Sequence, residues 1–275
     1  MASNNYGSTP PVDDPFQVDV QGCRDRQSRL LEVMHAEKLD LVLLTRSESV
    51  QWLTGAHVGP LFTPAAAMDE QGQVTLVLPS RKTSLRVAAD EVVGYEEKWH
   101  STIRDEQRAA SNEVLLRTVA SRPAKVGGEW SQLGPRLLAE FGGEIQNIEP
   151  KIFHLRRHKH PDELRMLRRA NDANRKMYAR AREIIEPGIN ELEVYNELHA
   201  TAVSELGEAL TYFGQDFRCC ARGGLPRDRE AQRGELYILD LGVGFRGYYS
   251  DNARTIAVGG TPSDEQQQAW EKLRD

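Results

Sequence analysis

Apolar and polar positions alternate along this chain in two rhythms. From Arg24 onward, Leu30, Leu31 and Met34 recur at steps of three or four and predict a helix, and Leu41-Val-Leu-Leu-Thr45 directly after it predicts a strand. A Gly- and Pro-containing stretch over 55–64 leads to two short strands, around 65–68 and 74–78, split by the turn Asp69-Glu-Gln-Gly72. Helical runs near 84–89, 112–120 and 132–141 then interleave with strand-like segments at 92–93 and 124–126. Such alternation predicts a small α/β domain.

The pattern changes after Ile148-Glu-Pro-Lys151. Residues 151–182 carry a run of Lys and Arg that far outnumbers Asp162, Glu163 and Asp172. His160-Pro161-Asp162-Glu163 opens a helix well, since proline suits the first turn and acids suit the positive end of the dipole. Leu164, Leu167, Ala170, Ala173, Met177, Ala181 and Ile184 predict one buried stripe on it, and Pro187-Gly188 stops it. Asn190, with Glu193 three residues on, caps a second helix whose apolar side is Leu192, Tyr195, Leu198, Ala202 and Leu206, ended by Gly207. Three strands follow, at 236–242, 248–251 and 253–258, and Ser263 with Gln266 forms a capping box for a last helix. The organisation expected is an arm over 1–23, a domain over 24–150 and a second domain over 151–275.

Composition narrows the function classes. With 275 residues, 39% hydrophobic, 28% charged and net charge −6, the chain is an ordinary globular one, and its acidity argues against a general nucleic-acid binder. No apolar window is long enough for a spanning helix, so no membrane partner is expected. Three cysteines, two of them adjacent at 219 and 220, support no disulfide framework and point to a reducing, cytoplasmic setting.

Most candidate chemistry is weak. His154, His158 and His160 lie in HLRRHKH, which lacks the Glu of HExxH, and read as solvated loop or helix-start residues rather than a zinc site. The basic run reads as the wet face of a helix whose other side is buried. Gly223-Gly224 lacks the Lys and Ser or Thr of a phosphate loop, and Cys219-Cys220 has no partner at zinc-ligand spacing. Asp240 and Asp251 stand apart. A hairpin turning at Phe245-Arg246, between Gly244 and Gly247, sets Asp240 directly opposite Asp251 with Cβ atoms about 5 Å apart. Two like charges at that distance on an otherwise apolar strand call for a divalent cation, or for two sharing the carboxylates, unless both Asp residues sit at strand ends in water.

The segments Ile238-Leu-Asp240-Leu-Gly242, Gly247-Tyr-Tyr-Ser-Asp251-Asn-Ala-Arg254-Thr255 and Val258-Gly259-Gly-Thr-Pro-Ser263 resemble the metal-binding hairpin of the pita-bread metallopeptidases (M24 type), the family of Xaa-Pro aminopeptidases, prolidases, methionine aminopeptidases and creatinase. The stretch from Arg29 through Thr45-Arg-Ser-Glu-Ser-Val-Gln-Trp-Leu-Thr-Gly55 resembles the creatinase-type amino-terminal domain. His160-Pro-Asp-Glu163 and Glu186-Pro-Gly-Ile-Asn-Glu191 resemble the two opening helices of the catalytic domain.

The resemblance implies an α/β creatinase-like amino-terminal domain followed by a truncated α+β pita-bread catalytic domain. It implies metal-assisted hydrolysis of proline-containing peptides on two divalent ions, Mn, Co or Zn, with Asp240 and Asp251 as metal ligands, and a homodimer through the amino-terminal domain. In the family the remaining ligands, one His and two Glu, lie downstream of this hairpin. The chain is therefore expected to be a fragment or shortened product, inactive by itself, that holds metal weakly or not at all. No catalytic side chain is assigned in it, and the substrate-binding residues are left open. The position where many relatives carry a substrate-contacting His falls at Gly223, which leaves two other readings: a pita-bread module that binds a peptide or protein partner without cleaving it, and a creatinase-like amidinohydrolase.

Overall fold

The fold is that of a computed structural model, which describes residues 14–97, 99–100, 103–119, 125–141 and 145–274. The chain divides into two units, Met1–Asp162 and Glu163–Asp275, each built on its own main sheet.

The first unit runs α1 (Val20–Glu37), β1 (Leu41–Leu44), α2 (Ser47–Thr54), β2 (Ala65–Asp69), β3 (Val74–Pro79), β4 (Glu91–Tyr95), the short pair β5 (Trp99–His100) and β6 (Ile103–Arg104), α3 (Gln107–Thr118), β7 (Val126–Gly128), α4 (Pro135–Glu140), β8 (Ile145–Asn147) and α5 (Glu149–Arg157). The six-stranded sheet has the order β4-β3-β2-β1-β7-β8, with β1 antiparallel to β2 and parallel to β7. Strand parity explains why it is covered on both faces. Val42, Leu44, Ala66, Met68 and Leu76 point to one side and meet Leu30 and Met34 of α1, Val50 and Leu53 of α2 and Ile152 of α5. Leu41, Leu43, Ala65, Ala67 and Val77 point to the other and meet Leu115 of α3 and Leu137 of α4. The α/β class is as expected, and the sheet lies between two helical layers.

Two local expectations fail here. Helix α1 begins at Val20 rather than Arg24, because the Asp19 carboxylate accepts the Gly22 amide and caps it. Of the arm expected over 1–23, residues 1–13 lie outside the described residues. Residues 84–89 form no helix: a 3-10 turn at Ser80–Lys82 leads into a non-helical segment in which Leu85, Val87 and Ala89 pack against the core and Ala88 is buried. Helix α5, after the Pro150 signal, packs into this first unit through Ile148 and Ile152, so the basic run starts one helix before the second unit does.

The second unit contains α6 (Pro161–Ile184, its first two residues belonging to the first unit), α7 (Glu191–Leu206), β9 (Tyr212–Cys219), β10 (Leu236–Phe245), β11 (Tyr248–Ala257) and α8 (Asp264–Arg274). The stripe on α6 is buried at Ala170, Ala173, Met177 and Ala181, whereas Leu164 at its start is exposed. On α7 the buried positions are Val194, Leu198, Ala202 and Leu206, and Leu192, expected inside, is exposed. Asn190 and Gly207 cap α7 as expected, and Ser263 and Gln266 exchange the two hydrogen bonds of a capping box, 2.9 and 3.2 Å.

The sheet corrects the strand assignment. Residues 248–251 and 253–258 belong to one continuous strand, β11, and the third strand is β9, for which the sequence reading had no strand. With Gly214, Gln215, Asp216 and Arg218 among its eight residues, β9 shows no apolar alternation, and pairing with β10 supplies what propensity does not.

Candidate metal centre

The β10–β11 hairpin turns one residue later than the glycines suggest. Its two-residue loop is Arg246-Gly247, between the paired Phe245 and Tyr248, and both loop residues have positive φ, +46° and +84°. That is the backbone of a tight hairpin turn that matches the twist of its strands. Arginine tolerates the first position because Glu208 fixes its guanidinium through Nε and a terminal nitrogen at 3.0 and 2.7 Å, while the group stacks 5.0 Å from the Phe245 ring.

The turn sets the register. Asp240 faces Ala253 and Asp251 faces Gly242, so the direct Asp240–Asp251 opposition expected from sequence is corrected by two residues. A slip of one would have sent the carboxylates to opposite faces, and a slip of two keeps both on the same face as diagonal neighbours. Strand β9 then adds a carboxylate that sequence reading missed: Asp216 lies directly opposite Asp240. Only the β9–β10 pairing brings it there, across 24 positions of chain.

Three carboxylates therefore share one sheet face. Burial, then the Asp251 charge and then the Asp216 charge push the Asp240 carboxyl above its ordinary range, and a hydrogen bond with Asp251 adds to the rise. Among the described residues none of the three has an ion-pair partner, although Asp216 Oδ1 accepts the Gly224 amide at 2.5 Å. Gly214 and Gly242 leave room on the same face for the Tyr212 ring, which meets Tyr249 edge-on at 5.5 Å. The face is thus a crowded set of oxygen donors beside an aromatic ledge, a donor chemistry that fits hard or borderline divalent cations.

The opposite face of the hairpin is held from behind. Tyr237, Leu239, Leu241, Val243 and Phe245 are buried against the helices. Tyr178 of α6 donates its hydroxyl to the Leu239 carbonyl at 2.9 Å, and Asn174, one turn earlier, donates to the Leu241 carbonyl at 2.6 Å and to Ser250 Oγ at 3.1 Å. The Asn252 carbonyl also lies against the Tyr178 hydroxyl. One helix face thus grips the backbone on both sides of Asp240, and the Ser250 hydroxyl and Asn252 carbonyl on either side of Asp251.

The loop after β9 explains Gly223. Its φ is +130°, and a Cβ added there would collide with the Asp216 carboxylate. The Phe217 amide donates to the Gly224 carbonyl at 2.9 Å, closing the loop over that carboxylate. Buried Glu191 secures the far side: it accepts the Cys219 amide at 3.0 Å and the Arg227 guanidinium at 2.6 Å. Burial works against ionisation of Glu191, and the Arg227 and amide hydrogen bonds overcome it and hold the carboxyl below its ordinary range. Cys219 is buried and its thiol is pushed up to about 12, chiefly by burial, so it is a structural rather than a reactive residue.

Residues 165–275 match the model of metallopeptidase family M24, and residues 26–157 match the creatinase/prolidase N-terminal domain. An uncharacterized peptidase of Bacillus subtilis is 24% identical over 246 residues, 86% of this chain and 66% of its own length. One from Staphylococcus aureus is 26% identical over 258 residues, 88% of this chain and 68% of its own. The chain thus spans about two thirds of the length of these relatives. Among solved structures, the prolidase from Pyrococcus horikoshii superposes with a TM-score of 0.71 at 21% identity, over 90% of this chain and 68% of its own. The Xaa-Pro dipeptidase from Bacillus anthracis gives 0.71 at 20% over the same shares. Both models match in the order in which the two units follow along the chain, a creatinase/prolidase N-terminal domain match preceding a match to metallopeptidase family M24.

Proposed function

We propose that this chain serves a metal-dependent hydrolase of proline-containing peptides, with Asp240 and Asp251 as metal-holding carboxylates. The observation that carries the reading is the crowding of Asp240 by Asp251 and Asp216 on one sheet face with no ion-pair partner among the described residues. The family resemblance supports two ions of the Mn, Co or Zn type. When bound, such ions polarise a scissile carbonyl and supply a nucleophile at neutral pH. The chain's own part is to fix the carboxylates: Tyr178 and Asn174 hold the strands that carry them, and Asp216 adds negative charge beside Asp240. Two or three carboxylates leave an ion largely hydrated, so these side chains by themselves hold it weakly. The resemblance also supports a homodimer through the amino-terminal domain, and the three cysteines without a disulfide framework support a cytoplasmic setting.

Titration of the 275-residue chain with Mn²⁺, followed by electron paramagnetic resonance, tests the carboxylate assignment. Binding is expected to fall at least tenfold in Asp240→Asn and in Asp251→Asn, and Mn²⁺ binding indifferent to both substitutions refutes it. A second reading, a module that holds a peptide without cleaving it, draws on Gly223, whose loop has no room for a side chain at the position where relatives carry a His. Hydrolysis of an Xaa-Pro dipeptide by a chain that includes the remaining ligands separates the two.

A further inference from the structure

We propose that Asp19, His160 and Asp162 form a second divalent transition-metal site, built entirely within the first unit and separate from the Asp240 and Asp251 pair. Asp19 is the cap of α1, and His160 and Asp162 follow α5, so the ligands come from positions 141 residues apart. One ligand atom from each lies within 4.8 Å of the others. Donors bound at about 2.0–2.2 Å to one ion lie up to about 4.4 Å apart, so small side-chain rotations close the site.

The His160 ring lies between two carboxylates. Its Nε2 lies 3.2 Å from Asp25 Oδ2, and its Nδ1 lies 3.1 Å from Asp162 Oδ1. A neutral imidazole has a single N–H. With that hydrogen directed to Asp25, Nδ1 presents its lone pair toward Asp162 and Asp19, where a metal ion would be held; a second proton on the ring is the competing occupant. The Asp25 contact is also the carboxylate–histidine pairing that orients metal-bound imidazoles and fixes their tautomer.

The surroundings fix the other two ligands. Asp162 is gripped by both terminal nitrogens of the buried Arg26, at 2.7 and 3.1 Å. Asp19 Oδ1 accepts the Gly22 amide at 3.0 Å. Its second oxygen and His160 Nδ1 converge on the space above Gly22: a Cβ there would lie 3.2 Å from Asp19 Oδ2 and 2.7 Å from Nδ1. The glycine is what lets the ring approach the first turn of α1. One imidazole nitrogen with two carboxylate oxygens suits Zn²⁺ or Co²⁺ better than Ca²⁺, Mg²⁺ or Mn²⁺. Such an ion staples the start of α1 to the segment that follows α5.

The test uses the full chain carrying Asp240→Asn and Asp251→Asn, so that the other carboxylate pair contributes nothing. Calorimetric titration with Zn²⁺ should give one equivalent, and Co²⁺ should give a visible absorption band in a donor field of one nitrogen and two oxygens. His160→Ala should abolish both. Asp19→Ser, which keeps a helix-capping oxygen, should weaken binding at least tenfold while leaving the metal-free melting temperature unchanged. Asp25→Asn should weaken it by about ten- to a hundredfold, the range for lost orienting partners. Absence of saturable Zn²⁺ binding, which would mean that a proton alone occupies the His160 ring, overturns the proposal, and so does binding that survives His160→Ala.

Discussion

Replacing Gly223 by alanine tests how the loop after β9 is locked to the carboxylate face. At φ +130° a side chain strains the backbone by about 1–3 kcal/mol. The added Cβ also displaces the Asp216 carboxylate, whose 2.5 Å hydrogen bond from the Gly224 amide is of the charge-assisted kind worth about 1.5–3 kcal/mol. Together these destabilise the closed loop by about 2.5–6 kcal/mol. The Phe217 amide, which donates to the Gly224 carbonyl, reports on that closure by native-state hydrogen exchange. At about 1.4 kcal/mol per factor of ten, its exchange should accelerate at least about fiftyfold. Repeating the substitution on an Asp216→Ser background removes the collision and leaves only the backbone strain, about 1–3 kcal/mol. An unchanged Phe217 exchange rate, or an equal cost in both backgrounds, refutes the account. Gly223→His should carry at least the same cost, since it adds the same Cβ at the same φ.

Glu235 is held down to about 2, first by its hydrogen bonds to Arg229, against the opposing effect of burial. Its contribution to stability is present above the unfolded carboxyl value and lost as pH falls from about 4.5 toward 2, so the melting-temperature gap between wild type and Glu235→Gln should be widest near neutrality and close in acid. Gly247→Val puts a β-branched residue at φ +84° in the hairpin loop and should destabilise the second unit by about 1–3 kcal/mol; urea unfolding with an unshifted midpoint would contradict the turn. Leu239→Ala opens the fully buried layer behind Asp240 and should cost about 2–5 kcal/mol by the same measurement, whereas the exposed Leu225→Ala should cost under about 0.5.

Local rules written in consecutive residues were legible without a structure. The caps at Asn190, Gly207 and Ser263, the buried stripe of α6 from Ala170 onward, the all-buried strand Leu41–Leu44 and the spacing of Asp240 and Asp251 each depend on neighbours in the chain. So did the α/β class of the first unit, since an alternation of helix and strand rhythms has few ways to bury its apolar faces. Tertiary structure decided whatever depended on partners far away in sequence. Glu208 holds Arg246 at a positive φ, in a turn one residue later than expected that shifts the strand register by two. Pairing with β10 makes a strand of polar β9 and sets Asp216 opposite Asp240. Folding of the first unit carries His160, unremarkable in HLRRHKH, to Asp19 and Asp25 at the start of α1. The physical reason is the same in each case: a cap or stripe is satisfied within a few residues, but the charge beside a carboxylate is set by whichever strand or helix packs there.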